Sequence, residues 1–393
     1  MTRLAATAST QSRARRPIPL DWECYVTARS GVTETWHVAA SGMDWNHKIE
    51  SSWVLDQGGP VLGYTSPYNR KTAELLKTVN RLTRKPGMYG PGSIVSFHEQ
   101  YAADLLCDIV SPHIKDADTL VRFVGNGSDA TDLAVRLARA QTGRDAFISI
   151  GYHGSSIIFS KPPQNAGVPY LNVARRFDVE FGDNTATELA FLSGIPIAAV
   201  IVEVPSTDEF ATLFLRYLRK LCDRHGALLI LDEVVTGFRL CLGGAAEYYG
   251  VRPDIACYGK SLGNGRGIAA TVGPRSIMDM LADQVFYSNT YNGDPYNCSH
   301  IIGTLQYLVE NEEDIYGHIW QTGDALKVGL RELGVGAVGH SVRVAITDPR
   351  RDELTRALIR EGYMLHQPCY PTYAHNEDHV QGTLDAMRRV VGG

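Results

Sequence analysis

A lysine that could form a covalent bond with an aldehyde stands in the segment YGKSLG, residues 258–263. It follows a short apolar run and precedes a glycine-rich loop. A partly desolvated lysine has a lowered pKa and condenses readily with aldehydes, and the glycines let the backbone pass close to a bulky ligand. A single lysine at a loop is more often solvated. Lys260 is therefore a candidate for covalent chemistry only together with other residues.

An aspartate stands at the end of a second apolar run, in LLILDEVVTGFR over residues 228–239. A carboxylate at this position can hold a protonated pyridine nitrogen as an ion pair, which keeps the ring cationic and able to take up carbanion electrons. Val234 would then pack on the face of the ring. The alternative for Asp232 is a residue that caps or turns the end of a strand.

A glycine-rich turn, GNGSDAT over residues 125–131, joins an apolar run to a helical pattern. The start of a helix offers free backbone N–H groups and a positive dipole end, which suit a phosphate, and Ser128 would add a hydroxyl. The alternative is an ordinary capped helix. The turn has neither the Gly-Lys-Ser/Thr ending of a P-loop nor a GxGxxG pattern.

An aromatic residue and a histidine follow another apolar run in GYHG, residues 151–154. The ring of Tyr152 could stack on a flat cofactor. His153 taken alone would more often be a structural, hydrogen-bonding histidine. A phosphate turn, an aromatic residue, an acid and a lysine thus follow one another at successive strand ends, and together they predict a pyridoxal 5'-phosphate (PLP) site.

The elements that position these residues alternate between strand and helix patterns. Short apolar runs predict buried parallel strands, and segments with helical spacing lie between them. In open α/β sheets, ligands bind outside the carboxyl ends of the strands, where the polar residues stand. The predicted strands cover 147–150, 198–203, 228–232 and 255–258, and the helices 129–141 and 209–224.

The length of 393 residues suits a large domain with a smaller one. We predict an N-terminal tail and arm over 1–57, a large PLP-binding α/β domain over 58–295, and a small C-terminal α+β domain over 296–393. In the last of these, residues 340–348 look like a strand, and 351–361 and 376–391 look like helices.

Composition excludes several function classes. The net charge of −5 gives no basic field for nucleic acid, and no apolar run approaches the length of a membrane span. Seven cysteines without a C-x-x-C motif argue against a disulfide framework or a zinc cluster, so a cytoplasmic location is expected. The Arg- and Ser-rich N-terminus resembles an organellar transit peptide, and a solvated tail is the alternative.

The motifs resemble those of the class III aminotransferases of PLP fold type I, and most of all their glutamate-1-semialdehyde aminomutase branch. The resemblance runs from about residue 58 to the end and is strongest over 120–300. It rests on the segments VRFVGNGSDATDLAVRLARAQTGR, GYHGSS, LLILDEVVTGFR, DIACYGKSLGNG, NTYNGDPYN and EGYMLHQPCYPTYAHNEDHVQGTLDAMRRV.

The resemblance implies roles around the cofactor ring. Lys260 would be the Schiff-base lysine, displaced by an amine substrate and then acting as the base that removes a Cα proton. Asp232 would pair with the pyridine nitrogen. Val234 would pack on one face of the ring and Tyr152 would stack on the other.

The resemblance also implies contacts at the cofactor's periphery. Gly127 and Ser128 would bind the phosphate. Thr290 would bind the phosphate of the neighbouring subunit's cofactor, which implies a homodimer. Glu203 stands where the family keeps a glutamate near the phenolic oxygen, and we count His153 with the cofactor-binding residues. The substrate would be a small amine or carbonyl compound.

The departures from the family pattern fall at the substrate end. The usual Glu-Pro pair is here Glu203-Val204-Pro205, and neither an N-terminal substrate arginine nor an I-R-L-x-P-P segment is evident. The aminomutase step and an α-amino acid substrate are thus left open. The alternatives are decarboxylation, lyase or racemase chemistry on the same fold, or a PLP-fold binding protein without turnover. A nicotinamide dehydrogenase is disfavoured because no GxGxxG follows an early strand.

Overall fold

A computed structural model describes residues 23–27, 33–37, 95–163, 165–173, 175–205, 211–361, 363 and 368–392. Most of the predicted N-terminal arm and its boundary at residue 58 lie outside this part of the chain. Within the arm, two described strands, β1 (Glu23–Thr27) and β2 (Thr33–His37), form an antiparallel pair.

The centre of the molecule is a seven-stranded, mostly parallel sheet in the order β3-β9-β8-β7-β6-β4-β5. The five strands from β8 to β5 run parallel, and β9 runs antiparallel to both β8 and β3. The strands are β3 (Thr119–Val124), β4 (Ala146–Ile150), β5 (Arg176–Val179), β6 (Ile197–Glu203), β7 (Leu228–Glu233), β8 (Ile255–Tyr258) and β9 (Ala269–Pro274). Each of the four strands predicted between residues 147 and 258 is found in this sheet, to within one residue at either end.

Helices cover both faces of this sheet, because strands that are apolar on both sides must be shielded on both sides. Phe214 and Leu218 pack against one face and Leu133 and Leu137 against the other. The helices are α1 (Phe97–Val110), α2 (Gly127–Thr142), α3 (Tyr170–Val173), α4 (Asn184–Leu192), α5 (Ala211–His225), α6 (Gly244–Tyr249), α7 (Arg275–Met278), α8 (Pro295–Glu310), α9 (Glu312–Glu332), α10 (Arg351–Arg360) and α11 (Glu377–Gly392). Across the described ranges, no helix is long and apolar enough to cross a membrane.

The C-terminal part has an apolar core of its own, to which Leu326, Leu358 and Met387 contribute. It contains only a short antiparallel pair, β10 (Ala337–Val338) with β11 (Ala345–Ile346), and one bridge between Val344 and Cys369. The strand predicted over 340–348 is therefore too long, because a turn occupies residues 341 and 342. Helix α8 packs along α1 and contributes to the core of the sheet. The domain boundary at 295/296 stays a prediction.

Candidate active site

Asp232 and Glu233 are adjacent residues at the end of β7, so their side chains lie on opposite faces of the sheet. Asp232 is 3% exposed, and its Oδ2 shares a 2.8 Å hydrogen bond with His153 Nδ1. Its Oδ1 accepts a 3.1 Å bond from the backbone N–H of Val234. Glu233 instead accepts the N–H groups of Ala245 and Ala246 in the first turn of α6, and burial raises its pKa to about 7. Asp232 therefore bonds to the predicted site residue His153, whereas Glu233 holds the start of α6.

His153 is fixed from several sides. Its backbone oxygen accepts a 2.8 Å bond from Thr131 Oγ1 in α2, and its ring lies 5.2 Å from that of Phe159. Its Nε2 is buried and has no hydrogen-bond partner among the described residues. The ring is thus held in one orientation against Asp232. The structural role weighed for His153 and its predicted role beside the cofactor are compatible, because its partner is Asp232.

Lys260 stands two residues after the end of β8 and adopts a left-handed backbone conformation with φ of 43°. Such a conformation is uncommon for a residue with a side chain and often marks a functional site. Burial lowers the pKa of Lys260, the positive charges of Arg239 and Arg343 lower it further, and Asp232 and Glu203 oppose the shift. A lowered pKa increases the fraction of neutral, nucleophilic amine near neutral pH.

The turn predicted to bind the phosphate lies at the start of α2. Asn126 caps the helix by accepting the N–H of Asp129 at 3.0 Å, and Ser128 Oγ accepts the N–H of Ser155 at 3.0 Å. A Cβ at residue 127 would lie only 2.7 Å from a methyl group of Val234. Glycine at 127 therefore lets Val234 pack directly against the turn.

Glu203, at the end of β6, contacts both Tyr152 and Arg343. Its Oε2 accepts a 3.1 Å bond from the N–H of Tyr152, and its Oε1 lies 3.6 Å from Nη1 of Arg343 in the C-terminal part. Tyr152 itself is about half exposed, with 51% of its surface accessible. An exposed ring at the edge of a site is available for stacking on a flat ligand.

Two arginines near Lys260 were not among the residues predicted for the site. Arg239 is buried, donates to Ser261 Oγ at 3.0 Å and lies 4.6 Å above the ring of Tyr370. Its position at the end of LLILDEVVTGFR was a usable signal. Arg343 gave no signal, because it stands in a short loop and meets Glu203 only through the folded chain.

Two further residues stand in loops: Thr290, which the resemblance implied for the phosphate, and Arg266. Thr290 is exposed in the turn that precedes α8. Arg266, in the loop after Lys260, stacks 4.5 Å from the ring of Tyr296 and bonds to its hydroxyl. The guanidinium of Arg266 is therefore bonded to another side chain of the same protein.

The residues present fit PLP. Asp232 is a buried carboxylate of the kind that would suit a pyridine nitrogen, a side chain larger than glycine at residue 127 would meet Val234, and burial lowers the pKa of Lys260, which favours reaction with an aldehyde. Residues 91–345 match the family model of the class-III aminotransferases.

Curated relatives agree with this match. The chain is 33% identical over 311 residues to a glutamate-1-semialdehyde 2,1-aminomutase of Haloarcula marismortui, covering 74% of this chain and 65% of that protein. It is 30% identical over 422 residues to the enzyme of the same name from Alkaliphilus oremlandii, covering 96% of each.

Among solved structures, the PLP internal aldimine form of the FumI protein from Sphingopyxis sp. MTA144 superimposes with a TM-score of 0.72. It is 25% identical, and the match covers 84% of this chain and 81% of that one. The chain therefore belongs to the class III aminotransferase family. It is an enzyme of PLP fold type I that uses PLP for the transfer or migration of an amino group.

Proposed function

We propose that the protein moves an amino group on a small amine or carbonyl compound, with Lys260 as the residue that binds the cofactor and carries the proton. The observation that supports this most directly is that Lys260 stands two residues after the end of β8, the strand that pairs with Asp232's strand, and that burial lowers the pKa of its amine. A lysine in this setting can be neutral to accept a proton and then return it.

One residue of the chain can be proposed for each contact with the PLP ring. PLP, when bound, supplies the electron sink for the chemistry at the substrate's Cα. Asp232 would hold the pyridine nitrogen, and His153 would fix the orientation of that carboxylate through the 2.8 Å bond. Val234 would contact one face and Tyr152 the other. Glu203 would lie toward the phenolic side, where it already orients Tyr152 through its backbone N–H.

The phosphate would lie at the start of α2, held by the amide of Gly127 and the hydroxyl of Ser128. We further propose a homodimer in which Thr290 of one copy contacts the phosphate bound by the other. The exposure of Thr290 supports this, because the residue is accessible to a second molecule. We also propose a cytoplasmic location, supported by the six cysteines from Cys107 to Cys369, all of which are free.

Amino-group migration within one molecule is the second candidate reaction, and the curated relatives' name, glutamate-1-semialdehyde 2,1-aminomutase, supports it. The two reactions differ in what is released. Transfer by one donor leaves the enzyme in its pyridoxamine form and frees a carbonyl product. Migration gives a rearranged product without any free carbonyl acid. Titration with a panel of amino donors, followed by absorbance and product analysis, separates them.

The lysine assignment is tested by Lys260→Ala in protein reconstituted with PLP. We expect loss of the cofactor's visible absorbance band and of turnover, because no other side chain replaces the covalent link. Lys220→Ala, which removes an exposed lysine on α5, is the matched control and should behave as wild type. Turnover that persists in Lys260→Ala would show that the lysine has been wrongly assigned.

A further inference from the structure

One hydrogen bond joins two turns whose backbones are strained. Phe238 and Lys260 carry side chains and nevertheless adopt positive φ angles, of 57° and 43°. Such conformations cost free energy and persist only where the surrounding contacts enforce them. The next residues in the two turns are Arg239 and Ser261, and Arg239 Nη2 donates a 3.0 Å bond to Ser261 Oγ. This bond therefore ties the turn after β7 to the residue that follows the candidate Schiff-base lysine.

The guanidinium of Arg239 is itself fixed on its other sides. It is buried, and its Nε donates a 2.9 Å bond to the backbone oxygen of Val235. Its Cζ lies 4.6 Å from the centre of the Tyr370 ring, which is a cation–π contact. Tyr370 is also buried, and it follows Cys369, which bridges Val344 in the C-terminal part. Arg239 is thus held at three points, in its own turn, in the lysine turn and in the C-terminal part.

The charge of Arg239 acts on the lysine amine as well. The other charged side chains that act on this amine are Asp232, Glu203 and Arg343. The two arginines lower the pKa of Lys260, in the same direction as burial, and the two carboxylates raise it. Arg239 therefore has two separable effects, because its hydrogen bond acts on the geometry of the turn and its charge acts on the proton affinity of the amine.

We propose that Arg239 is a positioning residue, which holds Lys260 in its left-handed conformation through Ser261 and anchors that turn to the C-terminal part through Tyr370. This role rests on the proposed function, in which Lys260 bonds to PLP. A reactive side chain stays in place only if neighbouring bonds and packing fix it. The planar fork of an arginine can make all three contacts at once, which the single ammonium of a lysine cannot do.

Capture of PLP by the cofactor-free enzyme, followed by absorbance at a series of pH values, measures both effects. The plateau of the rate at high pH reports geometry, because the amine is then neutral, and the midpoint reports the pKa of Lys260. Ser261→Ala should lower the plateau roughly tenfold, as expected for losing a hydrogen bond to a charged group, and leave the midpoint unchanged. Ser299→Ala removes a similarly buried serine, bonded to a backbone oxygen of α8, and should match wild type in both.

Variants of the arginine and of its aromatic partner separate charge from position. Arg239→Gln should lower the plateau and also move the midpoint to higher pH, because it removes a positive charge that favours the neutral amine. Arg239→Lys keeps the charge and loses the fork, so the plateau should fall while the midpoint stays. Tyr370→Leu should lower the plateau several-fold, and Tyr370→Phe should not, because phenylalanine keeps a ring face for the guanidinium.

Coupling between the arginine and the serine decides whether they act as one unit. The double variant of Arg239→Lys with Ser261→Ala should have the plateau of Arg239→Lys alone, and not the product of the two losses. Ser261→Ala leaves the guanidinium in place, so it carries the test even if Arg239→Gln does not fold. A wild-type plateau in Ser261→Ala would overturn the positioning role, as would variants that only unfold more easily while their folded protein captures PLP normally. A wild-type protein that captures no PLP would instead contradict the proposed function itself.

Discussion

Two carboxylates raise the pKa of Lys260 against the effect of burial, and they are bonded very differently. Asp232 is almost fully buried, shares a 2.8 Å bond with His153 and accepts a backbone N–H. Glu203 is 11% exposed in its side chain and faces Arg343 at 3.6 Å. We call Asp232 with His153 the locked side and Glu203 with Arg343 the loose side.

The difference reflects what each side of the lysine must do. A cofactor remains in place through every reaction cycle, so preorganised, fully bonded groups serve it best. The 2.8 Å bond from His153 suits this fixed role at Asp232. Glu203 combines a 3.1 Å bond from the backbone N–H of Tyr152 with a longer separation of 3.6 Å from Arg343.

The largest effect is expected from removing the charge of Asp232 on the locked side. Asp232→Asn removes the negative charge that would face the pyridine nitrogen while keeping the shape. Breaking a buried charge pair costs about 3–5 kcal/mol, which predicts a loss in kcat of about 10²- to 10³-fold or more. Single-turnover kinetics with the best amino donor measure it. A loss below tenfold would mean that Asp232 does not face the ring nitrogen.

The partner of that carboxylate should matter less. His153→Asn keeps a hydrogen-bonding side chain but shortens its reach to Asp232. The loss of a bond to a charged group, about 1.5–3 kcal/mol, predicts a reduction of roughly 10- to 100-fold in kcat. The cofactor's absorbance maximum should shift as well, because the orientation of Asp232 changes. An unchanged spectrum together with lowered stability would identify His153 as a purely structural residue.

The loose side can be tested through the pKa of Lys260 in protein freed of cofactor. Only the neutral amine captures PLP, so the capture rate rises with pH as Lys260 loses its proton. Arg343 lowers this pKa and Glu203 raises it. Arg343→Gln should therefore move the rise to higher pH, and Glu203→Gln should move it to lower pH. Shifts of the same sign in both variants would show that the two charges do not act directly on the amine.

Much of the locked side could be predicted from the sequence. Strand β7 is a continuous apolar run, so the position of Asp232 at its end follows from local pattern alone, and the same holds for Lys260 after β8. The turn at Ser128 is visible as a glycine-rich helix start. These signals are local because cofactor-binding residues of an α/β sheet stand at strand ends.

The loose side was not predictable in the same way. Arg343 lies 140 residues after Glu203, and a two-residue strand, β11, is too short to leave a periodic pattern. The prediction of one continuous strand over 340–348 missed the turn at residues 341 and 342, which immediately precedes Arg343. A contact between separate parts of the chain depends on how those parts pack, and residue spacing carries no record of that.

The smallest predicted effect tests the packing of Gly127 against Val234, the residue that we propose faces the PLP ring. Gly127→Ala places a methyl group 2.7 Å from Val234 Cγ1, an overpacking that we expect to weaken PLP affinity by about 1–2 kcal/mol. Val234→Ala alone should weaken it by about 1 kcal/mol through lost apolar contact. The double variant should bind better than the sum of the two losses predicts, because Val234→Ala makes room for the new methyl group. Gly317→Ala, where an added methyl meets no neighbour within 4 Å, is the control. Strict additivity, measured by titrating PLP into the cofactor-free variants, would separate Val234 from the phosphate turn and leave Asp232 as the better-supported anchor of the locked side.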